Sequence, residues 1–187
     1  MRRHPRVLGI DDAPFTKRQL SDVPVVGVVT EGALLVEGVA VTSFPVDGDD
    51  ATGFLSDWIR TMRWYPSLQA VVLGGVTVAG LGLVDVAELS SRLDLPVLAV
   101  TRRTRGIADL ARALQNAGHE SRLPLLQRLP RPVRIADGLH VSFAGTEEAD
   151  AAAILRATLR SGKIPEPLRI AHLIGAAIVK GTSKGRV

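Results

Sequence analysis

Two carboxylates stand side by side where the first apolar segment of the chain ends. Residues 6–10 are typical of a buried strand, and Asp11 and Asp12 follow them directly. Open α/β sheets bind their ligands at the carboxyl ends of central strands, which is where this pair would lie. Because side chains alternate along a strand, the two acids point to opposite faces. One can then serve a site while the other makes a turn; two turn carboxylates before Pro14 are an equally good interpretation.

A second group of acids, Asp47-Gly48-Asp49-Asp50, follows the third apolar segment. The first and third strands of a meander are parallel, so Asp11 and one of these acids would lie at the same edge of the sheet. Carboxylate oxygens suit Mg²⁺ or Mn²⁺, which retain water and bridge to substrate phosphate. We therefore predict a Mg²⁺ or Mn²⁺ site formed by Asp11 and one of Asp47, Asp49 and Asp50, with Asp47 and Asp50 as the preferred candidates. A helix cap at Asp50 within a polar turn is the alternative.

A histidine and a glycine-rich segment give weaker indications of a functional role. His172 lies in the last predicted helix, at a spacing from Leu168 and Gly175 that favours the packed face. A lone histidine there is more often a core residue than a functional one. Segment 74–80 lacks the lysine and hydroxyl pattern of a phosphate-binding loop, so a tight turn is favoured. The absence of a Gly-x-Ser-x-Gly motif disfavours a serine hydrolase.

Composition and charge narrow the class of protein. The chain has 187 residues, no cysteine, a net charge of +4, and 46% hydrophobic residues. This length predicts a single domain over residues 1–187, and the lack of cysteine excludes disulfides and thiolate metal sites. No apolar run approaches the roughly 18 residues that cross a bilayer, and the first apolar segment is too short for a signal peptide, so we expect a cytoplasmic protein. Basic clusters at 102–105, 128–134 and 180–186 are compatible with a nucleic-acid partner.

Hydrophobic periodicity predicts the elements that position these side chains. Apolar runs at 6–10, 23–30 and 33–43 predict a three-strand antiparallel meander with a hairpin turn at Glu31-Gly32. Further strands are predicted at 70–73 and 96–101, and helices at 51–64, 84–93, 107–117, 123–129, 146–160 and 165–180. Residues 140–144 are only a candidate for a last short strand. This order predicts one α/β domain with a mixed five-stranded sheet, the meander plus parallel strands, flanked by helices.

Four segments resemble the endonuclease dU family, small archaeal proteins related to endonuclease V. They are residues 7–12, 47–52, 74–80 and 162–172, and the likeness covers essentially the whole chain. The last segment, Gly-Lys-Ile-Pro-Glu-Pro-Leu-Arg-Ile-Ala-His, is the most specific. The resemblance implies a ribonuclease-H-like fold and cleavage of DNA at deaminated bases, deoxyuridine in particular, during DNA repair.

The likeness to endonuclease V also implies roles for single residues. Asp11 matches the metal aspartate of the first strand, and Arg102 falls where a catalytic lysine follows a strand. His172 takes the place of an aspartate or histidine of the terminal helix. Gly74 occupies the position of a third carboxylate, which leaves either one metal ion or a part for Asp12. The expected catalytic residues are Asp11, Asp12, Asp50, Arg102 and His172, and the expected nucleic-acid contacts are Arg103, Arg105, Lys163 and Arg169.

The expected function is metal-assisted phosphodiester hydrolysis. The carboxylates would hold Mg²⁺ or Mn²⁺, His172 would orient or deprotonate water, and Arg102 would offset charge in the transition state. One rival is a non-catalytic nucleic-acid-binding module whose metal site is degraded at Gly74. A more distant rival is a small-molecule phosphate binder that uses residues 74–80. The residues leave open the preferred lesion, the oligomeric state, and which of Asp12, Asp47, Asp49 and Asp50 completes the site.

Overall fold

A computed structural model describes residues 4–16, 21–101, 107–135, 138–160 and 163–184. The strands are β1 (Arg6–Asp12), β2 (Asp22–Glu31), β3 (Leu35–Pro45), β4 (Ala70–Leu73), β5 (Thr77–Val78), β6 (Gly82–Leu83), β7 (Val97–Thr101), β8 (Val133–Ile135) and β9 (Leu139–Ala144). The helices are α1 (Ala51–Thr61), α2 (Val86–Leu93), α3 (Ile107–Asn116), α4 (Leu123–Arg128), α5 (Glu148–Thr158) and α6 (Glu166–Lys180).

Seven strands form one mixed sheet in the order β3-β2-β1-β4-β7-β9-β8. The predicted antiparallel meander of β1, β2 and β3 is confirmed, and β4 and β7 continue it in parallel with β1. The predicted count of five strands is corrected to seven, because β9 and β8 extend the sheet antiparallel to β7. A strand as short as β8 has too few residues to show a hydrophobic period. β5 and β6 form a separate small hairpin.

Helices cover both faces of the sheet. On one face, Leu8 of β1 packs in a cluster with Leu55 of α1 and Leu89 of α2. On the other face, Val7 clusters with residues of α5 and with Leu168 of α6. These aliphatic side chains are almost wholly buried, and burial of each contributes about 1.5–3 kcal/mol. Strands that are apolar on both faces were the expectation for a sheet between helix layers.

Two glycines allow α6 to lie directly on β1. A Cβ on Gly9 would come within 2.6 Å of the Pro167 Cβ, and a Cβ on Gly175 within 3.0 Å of the Ala13 Cα. The first distance is shorter than any normal contact, so a side chain at position 9 would push the helix away. The helix therefore runs beside β1 toward its carboxyl end, and this brings the middle turns of α6 to that edge of the sheet.

Helix α1 begins where the sequence predicts. The side chain of Asp50 accepts a hydrogen bond from the Gly53 N–H at 2.9 Å, which confirms the predicted cap. Asp50 has a φ of 49°, in the left-handed region that Asp adopts more readily than most residues. Among the helices that the structure describes, none is long and apolar enough to cross a bilayer.

Candidate active site

Asp11 lies at the end of β1 on the face that α6 covers. Its Oδ2 is 3.2 Å from Nδ1 of His172. The Asp11 side chain is 21% exposed and that of His172 is 59% exposed. The expectation that His172 packs into the core is therefore wrong. Because α6 runs beside β1, this helix position faces the carboxyl edge of the sheet instead.

The two side chains lie in an open cavity of about 420 Å³, which we call the α6 cavity. Its walls also include residues of β7 and β9. The ionisable side chains that line it are Asp11, Arg169, His172 and Lys184. The apolar side chains that α6 and the segment before it contribute are Ile164, Leu168 and Leu173. One carboxylate, one imidazole and two cations thus line the same open cavity.

Arg169 is held in place by a buried carboxylate. Its Nε and Nη2 donate to the two carboxylate oxygens of Glu166 at 2.9 and 2.6 Å. Glu166 is only 7% exposed, and the Arg169 guanidinium holds the pKa of Glu166 below its usual value. Neither bond uses Nη1 of Arg169, so the pair fixes the orientation of a guanidinium that still lines the cavity.

Lys184 reaches the α6 cavity because the chain turns sharply after α6. Gly181 ends the helix with a φ of 73°, and its N–H donates to the carbonyl of Ala177. A glycine in the left-handed region is the common way for a helix to end and for the chain to change direction. The predicted basic cluster at the end of the chain therefore places one cation beside Asp11.

Asp12 points to the opposite face from its neighbour, as alternation along the strand predicts. Its Oδ2 accepts the N–H of Ala79 at 3.0 Å. Burial raises the pKa of Asp12 to about 6, and repulsion from Asp11 adds to the rise, while the hydrogen bond from Ala79 acts against it. Asp12 is thus a contact of the β5–β6 hairpin in this structure.

Two more side chains hold the same hairpin. Asp47 accepts the N–H of Leu81 at 2.8 Å, and Arg122 donates to the Leu81 carbonyl at 2.7 Å. Arg122 also donates to the Asp47 carbonyl at 2.6 Å and is only 8% exposed. We call Asp12, Asp47, Arg122 and the backbone of residues 79–81 the hairpin anchor. Sequence reasoning missed Arg122, because an arginine just before a helix gives no signal that it is buried.

The acids that follow β3 are not brought to Asp11. Asp50 caps α1, Asp47 belongs to the hairpin anchor, and Asp49 pairs with Arg122. Within the described ranges, no three His, Cys, Asp or Glu side chains are grouped closely enough to share a metal ion. The structure therefore does not show the predicted convergence of Asp11, Asp47 and Asp50. Physically, the turn after β3 folds toward the hairpin and away from the α6 face.

The surroundings of Asp11 fit a hydrated divalent ion. Mg²⁺ and similar ions often bind proteins through one or two side chains and fill the other positions with water and phosphate oxygens. A Cβ on Gly74 would lie 2.4 Å from Oδ1 of Asp11, so glycine at this position leaves space beside the carboxylate. Oxygen and imidazole donors such as Asp11 and His172 are both acceptable to Mn²⁺, and the carboxylate to Mg²⁺.

The other residues predicted to act in catalysis or to contact nucleic acid have different positions relative to the α6 cavity. Arg102, Arg103 and Arg105 lie outside the described residues, and their roles stay predictions. Lys163 is exposed and precedes Ile164, a residue of the cavity wall. Arg169 lines the cavity itself.

Comparisons with known proteins point to one family. The family model described as endonuclease dU matches residues 3–179. A UPF0215 protein of Methanothermobacter thermautotrophicus is 39% identical over 184 residues, which cover 96% of this chain and 90% of that protein. A UPF0215 protein of Thermococcus kodakarensis is 36% identical, with 96% and 94% covered.

Two solved structures are similar in fold. A protein of unknown function from Archaeoglobus fulgidus superposes with a TM-score of 0.86 at 33% identity, over 95% of this chain and 99% of that chain. Endonuclease V of Ciona intestinalis, solved with a 24mer DNA containing an inosine followed by a ribo-adenosine, gives 0.55 at 13% identity, over 90% and 82%. At that identity the second likeness shows the fold alone, a mixed sheet flanked by helices.

Proposed function

The chain belongs to the endonuclease dU family, and on that premise we propose that it is a metal-dependent endonuclease acting in DNA repair. Its substrate would be DNA with a deaminated base, deoxyuridine in particular. The observation that carries the proposal is the 3.2 Å contact of Asp11 with His172 inside the α6 cavity. A carboxylate and an imidazole beside two cations are side chains that can support hydrolysis of a phosphodiester.

The strand order supports a ribonuclease-H-like description of the fold. Along β3-β2-β1-β4-β7, an antiparallel meander is followed by two strands parallel to β1. Asp11 lies near the carboxyl end of β1, the middle strand of these five, which is where the resemblance expects the first metal aspartate. The strands β9 and β8 are then an extension at one side of that common arrangement.

His172 and Asp11 would prepare the attacking water. The imidazole is exposed to the cavity and can accept a proton from water, and the nearby carboxylate would stabilise the imidazolium that forms. Asp11 is also the side chain that would hold the divalent ion. When bound, Mg²⁺ or Mn²⁺ would polarise a phosphoryl oxygen of the substrate.

Arg169 and Lys184 would bind the phosphate groups. Both line the α6 cavity with Asp11, so a phosphodiester near the carboxylate would lie within reach of one or both cations. Their positive charge would offset the charge that develops on the phosphoryl oxygens in the transition state. Glu166 would keep the guanidinium of Arg169 turned toward that group.

A deaminated base is easier to expose than an intact one. Chemistry near a base usually requires that it leaves the stack, and mismatched or damaged pairs are cheaper to open. The apolar wall of the α6 cavity, which includes Ile164 and Leu168, gives an opened base a surface to pack on. The preference for deoxyuridine rests on the family to which the chain belongs.

The test is cleavage of oligonucleotide duplexes that contain one deoxyuridine or one hypoxanthine, with Mg²⁺ or Mn²⁺. We expect cleavage by the wild type and a loss of at least about 100-fold in Asp11→Asn, because this change removes the charge that holds the ion. Asp57→Asn in α1 is the matched control, since this exposed acid lies away from the cavity.

Two other outcomes would contradict the proposal. Binding of the duplexes without cleavage under either metal ion would support the non-catalytic nucleic-acid-binding module instead. Such a module is consistent with Gly74 standing where the resemblance expects a third carboxylate. Full cleavage by Asp11→Asn would show that the nuclease site is elsewhere.

A further inference from the structure

Strand β3 lies at an edge of the seven-stranded sheet and carries exposed apolar side chains. It pairs with β2 on one side, and none of the other strands that the structure describes pairs with its outer side. Val39 is 42% exposed and Val41 is 52% exposed. The backbone N–H and C=O groups on the outer side of an edge strand can bond to a further strand. The chemistry of this edge therefore favours a β-strand as its partner.

The two exposed valines lie on the α6 face of the sheet. The register pairs Val41 with Val26 of β2 and Val39 with Val28. Residues paired in this way point to the same face of a sheet. Val26 and Val28 are fully buried in a cluster with residues of α6. The next strand toward the edge therefore continues this apolar row beyond the part that α6 covers.

Helix α6 extends the same apolar surface. Ile174 packs against the cluster that contains the β2 valines, and Ile178 follows it by one helical turn on the same side of the helix. Ile178 is 49% exposed. We call Val39, Val41 and Ile178 the edge patch. Apolar side chains that are exposed together in this way are typical of an interaction surface.

The β3 edge lacks the features that keep the edge strands of monomeric proteins apart. Such strands usually carry lysine, proline or other charged residues. Residues 38–44 include no charged residue and no proline, and their pairing with β2 is regular. The one charged residue of β3, Glu37, lies beside a shift in the register and pairs with Arg6 of the same chain. Seven consecutive residues are therefore free to pair with another strand.

We propose that the β3 edge and the edge patch form the interface of a homodimer, in which β3 pairs antiparallel with β3 of a second copy about a two-fold axis at Ala40. The two sheets would then be continuous. Val39 would lie opposite Val41 of the second copy, and such pairs of β-branched residues stabilise a sheet. A two-fold axis that relates antiparallel neighbours is perpendicular to the sheet. Both α6 helices would therefore lie on the same face, and the two edge patches would meet there.

The charges of the edge favour a second copy of the chain as the partner. Because Arg6 neutralises Glu37 within each copy, two β3 strands would meet without opposing charges of the same sign. The edge patch offers no cation to a phosphate backbone, so it does not suit a nucleic acid. Pairing about a two-fold axis also closes the assembly at two chains. This inference goes beyond the proposed function and is independent of it, because no residue of β3 lines the α6 cavity.

Sedimentation velocity over a range of protein concentrations tests the dimer. We expect a dimer for the wild type, and a dissociation constant at least about 100-fold higher when Val39→Lys and Val41→Lys are combined, because the lysines of the two copies would face each other. Ala87→Lys with Ser91→Lys is the matched control. It adds the same charge at exposed positions of α2, a helix that packs on β7 and β9. The control should remain a dimer, and both double variants should keep the thermal stability of a folded chain.

Oxidation of single-cysteine variants tests the position of the axis, since the chain has no cysteine of its own. Ala40→Cys would place two thiols opposite each other, at a Cα separation of about 4.5–5.5 Å that a disulfide can span. Thr42→Cys is the matched control on the same face of the strand. Its two copies would be four residues apart along the strands, about 14 Å. We expect a disulfide-linked dimer for Ala40→Cys alone.

Four results would contradict the proposal. A wild type that sediments as a monomer at every concentration would show that the β3 edge is not an interface. A dimer that the two lysines do not weaken would place the interface elsewhere. Species that grow beyond two chains would indicate open association of edges, such as β3 with β8, in place of a two-fold pair. A disulfide through Thr42→Cys and not through Ala40→Cys would refute the axis.

Discussion

The two faces of the sheet at the end of β1 use their polar side chains in different ways. On the α6 face, Asp11 and His172 contact each other and remain open to solvent, at 21% and 59% exposure. On the other face, Asp12 accepts a backbone N–H of the hairpin, and Arg122 is almost fully buried among backbone carbonyls. Of the two consecutive acids, Asp11 thus lines a cavity that a ligand can enter. Asp12 belongs to a hydrogen-bond network that holds the fold together.

The hairpin explains why the second face is closed. Ala79 at its tip has a φ of 49°, a conformation that costs a residue other than glycine about 1–2 kcal/mol. The N–H of Ala79 is bonded to Asp12, and its carbonyl accepts the N–H of Asp47. The hairpin anchor therefore offsets the local strain at Ala79.

The largest expected effect comes from breaking the hairpin anchor. Arg122→Met would keep the length of the side chain but leave the carbonyls of Leu81 and Asp47 without its hydrogen bonds. We expect a loss of about 3 kcal/mol in the free energy of unfolding and a decrease in Tm of about 6–12 °C, measured by denaturation with urea and by heat.

The control for Arg122→Met is Arg112→Met, because the Arg112 side chain is 71% exposed and pairs only loosely with Asp109. A change below about 0.5 kcal/mol is expected there. Similar Tm values for the two variants would mean that the hairpin anchor contributes little to the free energy of unfolding. The polar side chains of the second face would then not have the stabilising role that distinguishes them from Asp11 and His172.

An effect of intermediate size on stability is expected when the charge of Asp12 is removed. Asp12→Asn keeps an oxygen that can accept the Ala79 N–H but removes an anion whose pKa burial raises to about 6. That shift corresponds to at most about 3 kcal/mol, and partial exposure reduces it to about 2, so the variant should be more stable at pH 8 in EDTA. Cleavage should stay within about threefold of the wild type. Loss of cleavage to the extent of Asp11→Asn would make Asp12 part of the metal site.

Much of this contrast was predictable from the sequence. The alternation of side chains along a strand placed Asp11 and Asp12 on opposite faces, and three apolar, β-branched runs predicted β1, β2 and β3 as a meander. The hairpin signal of Glu31-Gly32 and the cap at Asp50 also agree with the structure. These features depend on residues that are close in the chain, where propensity and pattern act directly.

What the sequence did not predict depends on contacts between distant segments. The burial of Arg122 arises only when the turn after β3, the hairpin and α4 meet, and no local pattern contains that information. His172 was expected in the core because helical spacing shows which face is apolar and not where along the sheet that face ends. Strand β8 was not predicted and β9 was only a candidate strand, because segments this short do not show that they pair with the free edge of β7 and extend the sheet.

The smallest expected effect concerns the ion pair between Glu166 and Arg169, one of the cations that line the α6 cavity. Arg169 lowers the pKa of Glu166 in the folded state. Their ion pair therefore stabilises the fold at pH values above the pKa of this carboxyl in the unfolded chain, about 4.3. The stabilisation is lost as the pH falls through the lower pKa of the folded state. Glu166→Gln should therefore cost about 1 kcal/mol at pH 7 and much less at pH 3, measured by urea denaturation. Glu88→Gln, which breaks the exposed pair with Arg92, should cost only about 0.3 kcal/mol at pH 7. Equal costs for the two variants would show that the buried carboxylate does not hold Arg169 more firmly than a surface pair does, and the α6 face would then be less ordered than its contacts suggest.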